Sequence, residues 1–203
     1  MLTIPLIAAC DPDILEEKGA RFEVKHVNWP AEWPYAPKVE GRIARTDKAL
    51  WVVWHVNGLG ITVRNLQDGG TIWEDSCCEI FLQAPGNDNY YNIEVNAGGH
   101  LLVGCGTGRG DRELLPESMR SIIRFGGVAA PVEVADKPVE WSVGIVIPYE
   151  AVGLDPKQLP DHLKGNIYKC GDKTAHPHFL SWAPVGTPAP DFHRPEYFGT
   201  FNL

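Results

Sequence analysis

No run of 18 apolar residues occurs in the 203-residue chain, so no segment reads as a membrane-spanning helix. Basic residues are scarce: 18 Lys and Arg stand against 26 Asp and Glu, a net charge of −8. That balance argues against nucleic acid as a partner, because gripping phosphates needs a basic surface. The five cysteines (Cys10, Cys77, Cys78, Cys105 and Cys170) are an odd number, and none form a Cys-x-x-Cys pair. Reduced, buried thiols are therefore expected rather than a disulfide framework. Adjacent strand residues face opposite ways, so Cys77 and Cys78 are poorly placed to bridge each other. The chain also has no Gly-x-Ser-x-Gly elbow, and Ser76 and Ser181 lack His and Asp partners in a diagnostic order. Before Cys10, "IPLIAAC" has no preceding positive charge and too short an apolar part for a signal peptide, which makes a first β-strand the better reading. The compartment stays open: periplasmic or extracellular if a signal was removed, cytoplasmic otherwise.

What the chain does contain is turn residues and period-2 patterning. Its 21 Gly and 17 Pro favour short strands joined by turns. "DPDILEEKG" predicts a short capped helix ending at Gly19. In "ALWVVWHVNG", Leu50, Val52, Trp54 and Val56 share one face of a strand, and Trp51, Val53 and His55 share the other. Further strands are expected in residues 77–106, 121–135, 139–148, 165–171, 178–184 and 196–203. "PYEAVGL" is at most a turn or two of helix. The expected fold is all-β, an antiparallel β-sandwich of jelly-roll type with minimal helix, forming a single domain over residues 1–203.

Several patterns invite chemistry. "GCGTGRG" (residues 104–110) resembles a phosphate loop, but no helix or Walker lysine follows, so a glycine-rich hairpin loop is expected, with its Arg-Gly-Asp tripeptide a coincidence. His176 and His178 would share a strand face, yet the position where a cupin has its glutamate is Trp182. Cys170, Asp172 and His193 could complete a zinc site, although their spacing does not demand one. Tyr90, Asn92, Glu94 and Asn96 form one face of "YYNIEVN", a row of carboxylate and amide groups suited either to sugar hydroxyls or to solvent. Trp73 and Trp182 sit at strand edges, where indole planes can stack on sugar rings or pack in the core.

Five ordered blocks, "IWEDSCCEIFLQ", "YYNIEVNAGGHLL", "GNIYKCGD", "HFLSW" and "DFHRPEYFG", resemble the carbohydrate-binding module family 9-like domains from about Ile43 to the C-terminus. Founding members are β-sandwich modules attached to bacterial xylanases, which clamp a terminal sugar between two tryptophans. By this resemblance Trp73 and Trp182 would be the stacking walls, and Glu79 and Asn96 would hydrogen-bond the hydroxyls. Two positions depart from the pattern: Glu94 stands where the xylanase modules have an arginine, and Cys78 where they have a lysine. Arg64, Lys169 or Arg194 would then restore positive charge, and His178 joins the candidate binding set. The resemblance also implies that structural calcium could be held by loop carboxylates, with Asp75, Asp88 and Asp111 as candidates and no other cofactor expected.

The resulting expectation is non-catalytic binding of a mono- or oligosaccharide, worth roughly 4 to 8 kcal/mol. A hydrolase or lyase using Glu79 and Glu94 is the alternative, as is an interaction module that has lost the sugar. A straight strand would place Trp73 and Glu79 roughly 20 Å apart, so the chain must bend near Glu74 and Asp75.

Overall fold

A computed structural model describes residues 1–203. In chain order the early strands are β1 (Leu2–Thr3), β2 (Ala20–Glu23), β3 (His26–Val27), β4 (Lys38–Arg45) and β5 (Ala49–Val63). The middle of the chain forms β6 (Cys77–Gln83), β7 (Tyr90–Asn96), β8 (Leu101–Gly106), β9 (Glu113–Leu114) and β10 (Ile123–Gly126). It ends with β11 (Val132–Pro148), β12 (His162–Cys170), β13 (Phe179–Ser181) and β14 (Gly199–Asn202).

One sheet runs β1-β14-β12-β6-β7-β8-β9, with β13 on β12 and β3 on β13; the other runs β10-β11-β5-β4-β2. Every pairing is antiparallel except β1 with β14. The chain is an antiparallel β-sandwich. No helix is long and apolar enough to cross a membrane.

The predicted helix is α1 (Pro12–Lys18): Asp11 caps it by accepting from the Ile14 amide at 2.8 Å, and Gly19 ends it. A second helix, α2 (Pro116–Ser121), has no counterpart in the sequence reading; Pro116 opens it and Met119 anchors it in the core. Residues 132–148, expected as two strands, form one long strand with an irregularity between Val134 and Pro138. Gly60, at φ +75, lets β5 pass the carbonyls of Val134 and Ala135 there, where a Cβ would collide.

Between the sheets lie Leu50, Val52, Trp54 and Val56 of β5, with Cys78, Ile80 and Leu82 of β6 facing them. The opposite face of the β6 sheet is buried as well. There Cys77, Phe81, Tyr90, Leu102, Tyr168 and Cys170 lie under a lid carrying Trp29, Val185, Phe192 and Phe198. This second layer explains why "CCEIFLQ" is apolar without alternation: both its faces are covered. A cavity opens in that layer.

Candidate functional site

Register decides which side chains meet. Glu79 pairs directly with Glu94 across β6 and β7, and Cys77 pairs with Cys170 across β6 and β12. All four therefore point to the lid side of the sheet. Immediately before β6, residues Ile72–Glu74 form a 3₁₀ turn that bends the chain back over the sheet, bringing Trp73 to the rim above Glu79. Trp73 is fixed there because its carbonyl accepts from the Asp172 amide at 3.2 Å.

A cavity of about 160 Å³ results, with Glu79, Glu94 and Cys170 at its base and Trp73, Phe179, Pro190 and Phe192 among its walls. Arg109, Arg112, Asp172, Asp191 and His193 complete the lining. Phe192 is held by stacking on Tyr168, with centroids 4.1 Å apart and planes 11° from parallel. Arg109 pairs with Asp191 at 3.2 Å, and Arg112 donates to His193 Nε2. The remaining His193 N–H can then donate to the Tyr90 hydroxyl at 2.8 Å.

Electrostatics at the base are unusual. Burial raises the pKa of both glutamates above the ordinary carboxylate range, and the charge of Glu79 raises Glu94 further. Glu94 Oε1 accepts from the Asn92 amide at 2.9 Å, whereas Oε2, fully buried, has no partner in the protein. Glu79 Oε1 accepts from the Cys170 thiol at 3.0 Å. Asp172 is pushed up to about 6, chiefly by burial.

His193 moves the other way, to about 3, through burial and then the charges of Arg112 and Arg109. Its folded pKa lies below the unfolded value near 6.5, so the stability it contributes is present above pH 6.5 and is lost as pH falls towards 3. His193→Gln should flatten that slope. The gap between the parent and variant unfolding free energies is expected to change by roughly 3 kcal/mol between pH 6.5 and 4, measured by urea titration. Parallel pH profiles would contradict this role for His193.

Several residues expected from the sequence lie elsewhere. From Phe179, which lines the cavity, alternation sends Leu180 and Trp182 to the opposite side of the sheet. Trp182 stacks on Phe201 with centroids 5.1 Å apart, packs over Gly199 and borders the inter-sheet core. It cannot form a wall opposite Trp73. Trp182→Ala should therefore cost about 3 kcal/mol of stability and leave saccharide affinity unchanged, as read by paired melting and calorimetry.

Lys169 is likewise on the inter-sheet side, donating to the Cys170 carbonyl at 2.6 Å and to His178 Nε2 at 2.8 Å. His178 is spent on that lysine and on the His176 carbonyl, so neither residue reaches the cavity. Arg64 is exposed and pairs with Glu133 and the Lys173 carbonyl. Arg194 pairs with Asp191 at 2.7 Å and does not line the cavity either.

Asn96 spends its whole amide on scaffolding. It donates to Asn65 O and Asp75 Oδ2, both at 2.9 Å, and accepts from the Gly98 and His100 amides. The calcium candidates do not converge. Asp75 lies just before β6 and Asp88 in the turn after it, about 20 Å away along the strand. Asp75 is already occupied by amide donors, and Asp111 by Thr107 and Gly108.

Positive charge at the cavity comes instead from Arg109 and Arg112, in and just after the glycine-rich loop of residues 104–110. A larger groove of about 590 Å³ on the other sheet is lined by side chains already paired with one another or with neighbours: His55 with Ser142 and Glu16, and Asn57 with Glu140.

An antiparallel sandwich with an aromatic-rimmed, carboxylate-based cavity on one outer face defines a β-sandwich ligand-binding domain. The sequence profile of carbohydrate-binding family 9 matches residues 9–203, and the chain belongs to that family. A candidate carbohydrate-binding protein from Bacteroides uniformis, of known crystal structure, is 32% identical, with a TM-score of 0.89 over 99% of this chain and 97% of its own. A family 9 module from Caldicellulosiruptor kristjanssonii solved with glucose is 11% identical, with a TM-score of 0.61 over 99% of this chain and 94% of its own. Its cellotriose complex gives 12% identity and a TM-score of 0.59 over 99% and 93%. At those two identities the likeness is one of fold. No curated protein matches the chain significantly.

Proposed function

We propose that the chain holds one terminal sugar unit, without transforming it, in the cavity beneath Trp73. The observation that carries this reading is Glu94 Oε2, buried in the cavity lining with no protein partner. An unsatisfied buried carboxyl oxygen is costly, and a ligand hydroxyl would pair with it, accepting from the protonated group or donating to the carboxylate. Trp73 offers an indole face for the apolar side of a pyranose, with Phe179 and Phe192 as further apolar wall in place of the second tryptophan. Arg109 and Arg112 supply donors for ring or hydroxyl oxygens. At about 160 Å³ and open at the rim, the cavity has room for one ring rather than an oligosaccharide chain, with the outer edge of the sugar left in solvent. The glucose and cellotriose bound by the Caldicellulosiruptor module support the same ligand class.

Calorimetry against a panel of mono- and oligosaccharides tests the proposal. Glu94→Gln is expected to weaken the best ligand about tenfold, close to 1.4 kcal/mol. Absence of binding to every saccharide at millimolar concentration would sink the reading.

A glycan-cleaving alternative would draw on the same Glu79–Glu94 pair. Hydrolysis by two carboxyl groups requires them to flank the glycosidic bond. Here they rise side by side from adjacent strands at the base of one cavity, which favours binding. Release of new reducing ends from any panel glycan, lost in Glu79→Gln, would reverse that preference.

A further inference from the structure

The base of the cavity brings together a second donor set. Cys77 and Glu79, two residues apart on β6, share a face, and Cys170 of β12 lies directly opposite Cys77. One ligand atom from each (two thiol sulfurs and a carboxylate oxygen) lies within 4.8 Å of the others, and all three residues are buried. The Cys170 thiol is directed to Glu79 Oε1 at 3.0 Å, so the sulfur and oxygen already converge on a common point. Thiols used only for packing need no carboxylate among them.

From this geometry we propose that Cys77, Glu79 and Cys170 bind one thiophilic divalent cation of the zinc or cadmium type. Two sulfurs and one oxygen suit such ions, whereas calcium and magnesium select all-oxygen sets. Cys170 and Glu79 both line the cavity, which provides a path from solvent. Three protein donors leave a fourth tetrahedral position facing the cavity, where Asp172, two residues beyond Cys170, also lies.

Binding releases the two thiol protons, and the Glu79 proton where its carboxyl carries one, to solvent and forms two metal–thiolate bonds and one metal–carboxylate bond, with no change of oxidation state. The bound site would carry one net negative charge, and Arg109 and Arg112 in the cavity lining oppose it. The inference stands independently of sugar binding.

Titrating the reduced, metal-free chain with cadmium chloride tests it. The expected result is a near-ultraviolet thiolate-to-cadmium absorption band that saturates at one equivalent and is displaced by zinc chloride. The band should vanish in the Cys77→Ser/Cys170→Ser double variant and persist in Cys10→Ser/Cys105→Ser, which alters the two half-buried cysteines. Should the first variant fail to fold, cadmium-113 NMR of the unaltered chain decides the matter. A chemical shift typical of two thiolates and oxygen supports the site. A shift typical of oxygen ligation alone, or the absence of any band, overturns it. Saccharide calorimetry in chelator, on the same protein, separates this outcome from the fate of the sugar reading.

Discussion

Trp73→Ala is expected to reduce the affinity for the best saccharide about 30-fold, while the melting temperature changes little. Burying an aromatic face against a ligand contributes on the order of 2 kcal/mol, which corresponds to that factor. Trp73 is half-buried at the rim, on a turn fixed through its backbone, so removing the indole leaves the sheet and its hydrogen bonds in place. Trp73→Phe should recover part of the affinity, since a smaller π-face can still stack. The contrast with Trp182→Ala is diagnostic: one variant loses binding and keeps stability, and the other does the reverse. If both variants lost binding equally, Trp73 could not be the wall and Trp182 a packing residue.

Asp75→Ala should produce the largest stability loss, at least about 3 kcal/mol. Asp75 is 1% exposed and accepts from the Arg64 amide at 3.1 Å and from the Asn65 amide and Asn96 side chain at 2.9 Å. Removing the carboxylate strands three donors, each costing about 1 kcal/mol or more when buried. These bonds tie the end of β5 to the start of β6 and the end of β7, and so hold the turn that carries Trp73. Urea denaturation with and without chelator separates this scaffold role from a calcium role. A scaffold role predicts the same loss in both conditions. A parent protein that weakens in chelator, beside a variant indifferent to it, would show that Asp75 serves a cation.

Period-2 alternation made most of the fold legible in the sequence. The strand faces of β5 and β7 and the capped first helix follow from local chemistry, whereas the bend before β6 was expected only because the family resemblance puts Trp73 and Glu79 in one site. The cavity was less legible because it depends on pairing between distant segments. Glu79 and Glu94 could be nominated from the sequence, but the Cys77–Cys170 contact requires the β6–β12 register. Arg109 and Arg112 enter because the loop between β8 and β9 folds towards Asp191 and His193, and no spacing rule encodes that approach.

Trp182 and Lys169 depart from expectation for a simpler reason. Counting alternation from Phe179, or from Ile167, sends each to the inter-sheet side, so strand parity outweighs the appeal of an aromatic or a cation near a motif. The lid was only partly legible: residues 185–195, between the two strands expected on either side, carry no alternation of their own, yet Val185 and Phe192 there cover a second core.

The central claim, that ligand enters beneath Trp73 rather than at Trp182, is tested most directly by indole N–H resonances in a ¹⁵N-labelled sample. The chain has seven tryptophans, and each signal can be assigned by substitution. Titration with cello-oligosaccharides and a wider glycan panel should shift the Trp73 indole progressively to saturation and leave Trp182 fixed. A saturating shift at Trp182 with Trp73 unmoved would contradict the claim.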